Sequence, residues 1–401
     1  MKEIIRDVRK GKPVIIVDDE KREGEGDIFV AAEKVTPDTI NFMATNGRGF
    51  ICMPLTAGRA QQLGIAPMVS DQDNTEKERC KFGISIDAKH GTTTGVSAFD
   101  RSVTIHKVVD DKASPGDFRK PGHVLPLIAR NGGVFVRQGH TEASVDLAQI
   151  AGLKPAGVIC EIMNEDGTMA HGAEIHEFAK KYHLKIVRVD EIIKYRTAHE
   201  QLVEPIVDVD LPTVHGHFRL HAFRTIDGKE EIALVKGDIR SKNVLVRVHS
   251  ECLTGEVFGS LRCDCDDQLQ TAMCAIERAG SGIIIYLRQE GRGIGLINKL
   301  KAYKLQERGL DTFDANKKLG FAEDGRSYWI AEQILQYFNV NSARLLSNNP
   351  EKEKELEEYG IRVDERLSLE SMPTRHNLKY LQAKHEKMGH VTNIKEKLIF
   401  I

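Results

Sequence analysis

The sequence predicts an α/β protein of the α+β type, with two mixed α/β domains joined by a short linker, and three observations carry that expectation. The chain has 401 residues, more than one ordinary hydrophobic core serves. Short apolar runs alternate with helical patterns through both halves. Near residue 200 a helical pattern ends and "VEPIVDVDLPTVHGHF" reads as a linker entering a new strand-rich segment, giving domains 1–200 and 201–401.

In the first half "PVIIVDD", "GFICMPL", "GVFV", "GVICEIM" and "LKIVRV" read as strands, and the helix-like "IHEFAKKYHLKIVRVDEIIKYRTAHEQL" closes the half. In the second, "VLVRVHS", "GIIIYLR" and "ARLLSNNP" read as strands. "DQLQTAMCAIERAGSG" is a helix, because Leu269, Ala272, Met273 and Ile276 share one face before a glycine stop. "YLRQEGRGIGLINKLKAYKLQERG" runs strand, glycine-rich turn, helix. The charged tail "KYLQAKHEKMGHVTNIKEKLIFI" reads as peripheral, its final apolar residues able to pack on another element.

Composition narrows the function classes. With 41% hydrophobic and 29% charged residues the chain is globular rather than disordered. A net charge of −2 offers no electrostatic case for nucleic acid or an anionic membrane. No apolar run reaches signal-peptide or bilayer length, so a cytoplasmic location is expected. Seven cysteines, three of them clustered, argue for a metal site rather than a disulfide framework.

That cluster is "ECLTGEVFGSLRCDCDD", with Cys252, Cys263 and Cys265 between a strand end and a helix start. Three thiolates are an incomplete set for zinc: a fourth protein ligand makes a structural staple, water a catalytic centre. His249 is the neighbouring candidate for a fourth ligand. Yet His249 and Glu251 stand beside Arg247 in "RVHSE", a polar string that a structural knuckle does not require. Downstream, the amides of "GRGIG" at a helix start suit an anion, with Arg288 and Arg292 in support.

"RVHSECLTGEVFGSLRCDCDDQL", "YLRQEGRGIGLINKLKAYKLQ", "EDGRSYWIAEQIL" and "LLSNNPEK" together resemble GTP cyclohydrolase II, the zinc enzyme that opens the guanine ring of GTP at the entry to riboflavin synthesis. The resemblance covers about residues 205 to 390. It implies zinc on Cys252, Cys263 and Cys265, whose bound water attacks guanine C8, with formate and pyrophosphate released. It implies GTP contacts at Arg247, Val248, His249, Ser250, Glu251, Gln268, Glu290, Gly291, Arg292, Thr312, Ser347 and Lys352. Asp324 matches the proton acceptor and Arg326 the nucleophile toward the α-phosphate; a guanidinium that stays protonated serves equally as a phosphate clamp. Where the family has glycine after the C-x-C pair this chain has Asp266, a carboxylate able to cap the helix or compete for the metal's open position.

In the first half "PVIIVDDEKREGEGD" ends a strand in an acidic loop, a suitable setting for magnesium beside an oxygen-rich substrate. Later fragments supply partners: His123 in "FRKPGHVLPL", Arg137, His140 and Thr141 in "FVRQGHTEASVDLA", and Glu161 in "GVICEIMNEDG". A cation and a hydroxyl at a helix start suit phosphate, and a His and Glu pair suits acid–base work. Together these resemble 3,4-dihydroxy-2-butanone 4-phosphate synthase over about residues 1 to 200, which converts ribulose 5-phosphate to a four-carbon riboflavin precursor and formate. The resemblance implies magnesium or manganese on Glu23 and His140. It implies substrate contacts at Arg22, Glu23, Asp27, Arg137, Gln138, Gly139, His140, Thr141 and Glu161, with His123 and Glu161 catalytic.

The expectation is a bifunctional enzyme making both precursors of one later condensation, acting on GTP and D-ribulose 5-phosphate, with no nucleic-acid or membrane partner. Both resemblances imply a homodimer. The alternative is one active half, the other serving as a scaffold or dimerisation module.

Overall fold

The computed structural model describes residues 1–20, 22–240, 243–321, 324–369, 371 and 373–390, apart from the side chains of Lys379 and Met388. It divides into two units, Met1–His199 and Glu200–Ile401.

The first unit holds a seven-stranded mixed sheet: β1 (Val14–Val17), β2 (Gly26–Ala31), β3 (Arg48–Thr56), β4 (Ile86–Ala88), β5 (Phe118–Ala129), β6 (Gly157–Ile162) and β7 (Lys185–Arg188). Their spatial order is β4-β5-β3-β6-β2-β1-β7. Strands β1 and β7 pair in parallel, as do β3 and β5, and the remaining neighbours are antiparallel. Ile15, Ile28, Leu55 and Val158 are fully buried, as apolar residues in central strands must be to offset the entropy of ordering the chain. The acidic loop is the connection between the antiparallel strands β1 and β2, so it is short and tied at both ends.

Register then assembles the site row. Asp27 on β2 lies opposite Glu161 on β6. Strand β3 bulges between Arg48 and Ile51 where it passes β6, and the Phe50 amide donates to the Glu161 carboxylate at 2.7 Å. The bulge depends on Gly49, whose missing Cβ would stand 2.3 Å from the Glu161 carbonyl oxygen.

"GVFV" is not a strand. Gly132 and Gly133 adopt φ of 95° and 63°, and Gly133–Phe135 closes as a 3-10 turn whose Val134 amide donates to Asp146. Backbone in the left-handed region cannot begin an extended run.

The second unit's sheet runs β14-β13-β11-β12-β10-β9-β8, with β8 (Val203–Thr213), β9 (Gly216–Thr225), β10 (Glu230–Lys236), β11 (Val244–Ser250), β12 (Gly282–Leu287), β13 (Ser342–Leu346) and β14 (Arg362–Leu367). The stretch read as a linker is the edge strand β8 with the start of β9, register-shifted between Pro205 and Val207. Proline lacks a ladder donor and is tolerated at an edge, which is why this strand looked like a connection. Strands β11, β12, β13 and β14 pair in parallel, so their C-terminal ends face one rim and deliver the loops that follow to one place.

The helix after the cysteines spans Cys265–Ala279, buries Ala272, Met273 and Ile276, and stops at Gly280 with φ of 72°. The tail is not peripheral. Leu378–Met388 is a helix whose Lys384 is buried against Asp264 at 2.8 Å, so a charge that read as solvated is used inward. The tail's final apolar residues lie outside the described residues.

Gly49→Ala must push apart a β3–β6 rung whose obstructing atom is backbone. The expected result is a loss of about 1–3 kcal/mol in urea denaturation of the full chain; an unchanged midpoint would show that the rung yields freely.

Candidate functional site

The sulfurs of Cys252, Cys263 and Cys265 lie within 4.8 Å of one another, and those of Cys252 and Cys263 are 3.7 Å apart. Tetrahedral zinc with bonds of ~2.3 Å needs sulfurs about 3.8 Å apart, which the Cys252–Cys263 spacing matches. Gly255 makes room: a Cβ there would stand 3.0 Å from the Cys263 sulfur and 3.3 Å from that of Cys252. Hydrogen bonds from Cys263 and Cys265, with the Lys299 ammonium 3.1 Å away, pull the Cys252 thiol well below its ordinary pKa. Lys299 also donates to Glu290 at 2.7 Å, and Glu290 accepts from the Leu253 amide, which fastens the cysteine loop to the glycine-rich turn.

His249 is not a fourth ligand. Nε2 meets Glu256 at 2.8 Å, Nδ1 meets the Arg247 guanidinium at 3.2 Å, and burial pushes the ring down to about 4, leaving it neutral. Asp266 does not approach the sulfurs either; its carboxylate accepts from Gln270, one turn along the helix. The aspartate that matters is Asp264, inside the C-x-C pair. It is buried and accepts from Lys384, Gln268 and Ser371.

The cysteines open into a cavity of about 580 Å³. Every residue expected to contact GTP lines it except Val248, whose carbonyl instead accepts from the Lys352 ammonium at 2.7 Å. Gly291, Arg292, Gly293 and Gly295 all adopt positive φ, 62° at Arg292. This turn is stitched to residues 324–327 by the Gly325 amide on the Arg292 carbonyl and by paired bonds between Gln289 and Ser327.

Cations dominate the cavity. Burial pushes Lys352 well below the ordinary lysine range, reinforced by Arg247 and Arg326. Arg292 stacks 4.4 Å from the Phe313 ring, and its two terminal nitrogens are buried with no hydrogen-bond partner among the described residues. Arg326 is ion-paired with Asp324 in the same turn, and despite burial, Tyr328 and Asp324 hold it above the ordinary arginine range. A guanidinium so paired is held in its protonated form. Surplus buried positive charge is what a polyphosphate would neutralise.

In the first unit, Asp18, Glu23 and His140 converge within 4.8 Å. His140 Nδ1 lies 3.7 Å from Glu23 and 3.9 Å from Asp27, and Arg22 bridges Asp18 at 2.5 Å and Glu23 at 2.6 Å. Burial opposes charge on both partners, yet the ion pair wins: Asp27 and Glu23 raise His140 to about 9, while His140 and Arg22 lower Glu23 to about 2. Asp27 is pushed up to about 7 by burial and by Glu161, Glu23 and Glu25, and burial raises Glu161 as well. His123 stands apart, with Nδ1 on Asp87 at 2.7 Å and its amide on the other oxygen at 2.9 Å. Among the described residues no hydrogen bond or ion pair joins it to Glu23, His140 or Glu161. Arg137 meets Glu142 at 2.8 Å, Thr141 touches Cys80, Gly139 precedes the helix His140–Ile150, and Gln138 is exposed.

Asp87, Asp264 and Lys299 were missed by the sequence reading, whereas Asp18 belongs to the acidic loop that it marked for magnesium. Asp264 alone carried a signal, its place between two ligands. Among the described residues no helix is long and apolar enough to cross a membrane.

The sequence profile of 3,4-dihydroxy-2-butanone 4-phosphate synthase matches residues 2–195, and that of GTP cyclohydrolase II matches 204–368. The chain is 51% identical to the riboflavin biosynthesis protein RibBA of Endomicrobium trichonymphae, over 96% of each chain. It is 53% identical to RibBA of Aquifex aeolicus, over 98% of this chain and 97% of that one. A solved two-domain 3,4-dihydroxy-2-butanone 4-phosphate synthase, RibBX from A. baumannii, is 35% identical with a TM-score of 0.69, covering 86% of this chain and 93% of its own.

The His140–Glu23 pair makes a testable claim. His140, ordinarily near 6.5 and raised to about 9, favours folding fully below 6.5 and loses that contribution as pH rises through 9; Glu23, lowered to about 2, contributes above 4.5. A divalent ion bound by His140 at pH 7.5 must therefore displace its proton. Calorimetry in buffers of different ionisation enthalpy should show close to one proton released per ion; none released would remove His140 from the ligand set.

Proposed function

The chain belongs to the RibBA family of bifunctional riboflavin biosynthesis enzymes, 3,4-dihydroxy-2-butanone 4-phosphate synthase fused to GTP cyclohydrolase II, and from that premise we infer how its residues divide the two reactions. The observation that carries the division is the three-sulfur cluster opening into a cation-lined cavity in one unit, with an oxygen-and-imidazole cluster in the other.

In the second unit, Cys252, Cys263 and Cys265 would hold zinc, which when bound supplies Lewis acidity and activated water at the guanine ring. Arg292, Arg326 and Lys352 bind the triphosphate of GTP. Arg326 acts as a clamp whose charge stabilises the α-phosphate in the transition state, because its pairing with Asp324 keeps it protonated. Gln268 and Arg247 form a buried pair at 2.7 Å that fixes the pocket wall behind the cysteines. Glu290 works on the cysteine loop through Leu253 and Lys299 rather than on substrate.

In the first unit, Glu23 and His140 would hold magnesium or manganese, with Asp18 as a third ligand once Arg22 turns to substrate. Enolising a ketose requires protons to be moved between neighbouring carbons near neutral pH. Asp27, pushed up to about 7, can hold or release one there, and Glu161, opposite it across the sheet and raised by burial, stands as its partner. Asp87 fixes the tautomer and orientation of His123, leaving Nε2 for substrate. Arg137 and Thr141 at the helix start receive the phosphate.

The reading extends to a cytoplasmic homodimer. A second reading, one active half, draws on RibBX being described as a two-domain synthase. Formate assays decide. The purified chain should release formate from GTP and, separately, from ribulose 5-phosphate. Cys263→Ser should cost the zinc and at least 10³-fold of the GTP activity alone, and His123→Ala a similar factor of the ribulose 5-phosphate activity alone. No formate from one substrate would establish the one-active-half reading.

A further inference from the structure

His390 is buried, lines the cavity, and has neither ring nitrogen hydrogen-bonded among the described residues. An imidazole withdrawn from water with both nitrogens unused is unfavourable by the full desolvation of each polar atom, so its position calls for a ligand. Its surroundings name the chemistry. The charged side chains that act on it most are Lys384, Arg326 and Lys352, with Asp264 of opposite sign. A ring with two free nitrogens on a cavity wall shared with Arg326 and Lys352 suits an anionic oxygen as the missing partner.

Lys384 comes from the same segment, two turns earlier, and reaches Asp264 at 2.8 Å. Asp264 is flanked by Cys263 and Cys265, so this ion pair ties the tail helix to the loop that carries two sulfurs. Both partners are more than nine-tenths buried, so removing either one leaves an uncompensated charge inside the protein.

We propose that residues 374–390 form a working wall of the nucleotide pocket, in which His390 donates a hydrogen bond to a phosphate oxygen of the substrate held by Arg326 and Lys352, and Lys384 pins the cysteine loop through Asp264. The inference rests on the GTP reading of the second unit. His390 is thus a substrate-binding residue and Lys384 a positioning residue.

The test uses the full chain, formate release from GTP, and two competing probes, inorganic tripolyphosphate and guanosine. His390→Ala should weaken inhibition by tripolyphosphate about tenfold and raise KM for GTP to match, with inhibition by guanosine and the zinc content unchanged. His390→Gln keeps a donor and should recover most of the loss. Should the alanine variant lose its zinc through misfolding, the glutamine variant decides, since it must stay near the parent for tripolyphosphate. Equal weakening of both probes, or of neither, overturns the role of His390. For Lys384→Met, zinc should pass to a chromophoric chelator several-fold faster than from the parent, with Lys384→Arg close to the parent; unchanged transfer overturns the pinning. A parent chain that releases no formate from GTP overturns the GTP reading itself, and this inference with it.

Discussion

A charged side chain withdrawn from water must meet an opposite charge, a set of hydrogen bonds or a ligand, and each unit of this chain meets that requirement differently. In the first, charges of both signs alternate: Asp18, Arg22, Glu23 and His140 satisfy one another before any ion arrives. In the second, positive charge is in surplus: Arg247, Arg326 and Lys352 are countered chiefly by Asp264 and Asp324, and Arg292 rests on an aromatic face. One pocket is balanced by its own ion pairs. The other carries buried positive charge of the kind that a polyanion complements.

Strand direction converts this electrostatics into a site. Parallel pairing of β11, β12 and β13 sends Glu251, Arg288 and Ser347 out at one rim, so segments nearly a hundred residues apart become neighbours without long loops. The loops then fasten to each other, Leu253 to Glu290, Arg292 to Gly325 and Gln289 to Ser327. The antiparallel β2–β6 pair does the same for Asp27 and Glu161.

What could be read from the sequence follows from how local each signal is. Three cysteines within fourteen positions, a glycine-rich turn and an acidic loop are visible because the ligand types are rare or dense and lie close together. Mixed α/β architecture was legible from apolar runs for the same reason. Partners across the fold were not: nothing in "GISIDA" marks Asp87 as the residue that orients His123, 36 positions away. Asp266 stands out in the sequence by differing from the expected glycine, whereas it is Asp264 that meets the buried lysine. Prolines hid the edge strand β8, two glycines turned "GVFV" into a 3-10 turn, and the tail's charges looked solvated because their acidic partner lies 120 positions earlier.

Arg292 carries one further consequence. A non-glycine residue at φ of 62° costs roughly 1–2 kcal/mol that glycine would not, yet glycine there would remove a cation from the pocket. At this position robustness and turnover therefore pull in opposite directions. A library of variants sorted for heat tolerance alone should enrich glycine at 292, and its winners should be the poorer catalysts with GTP.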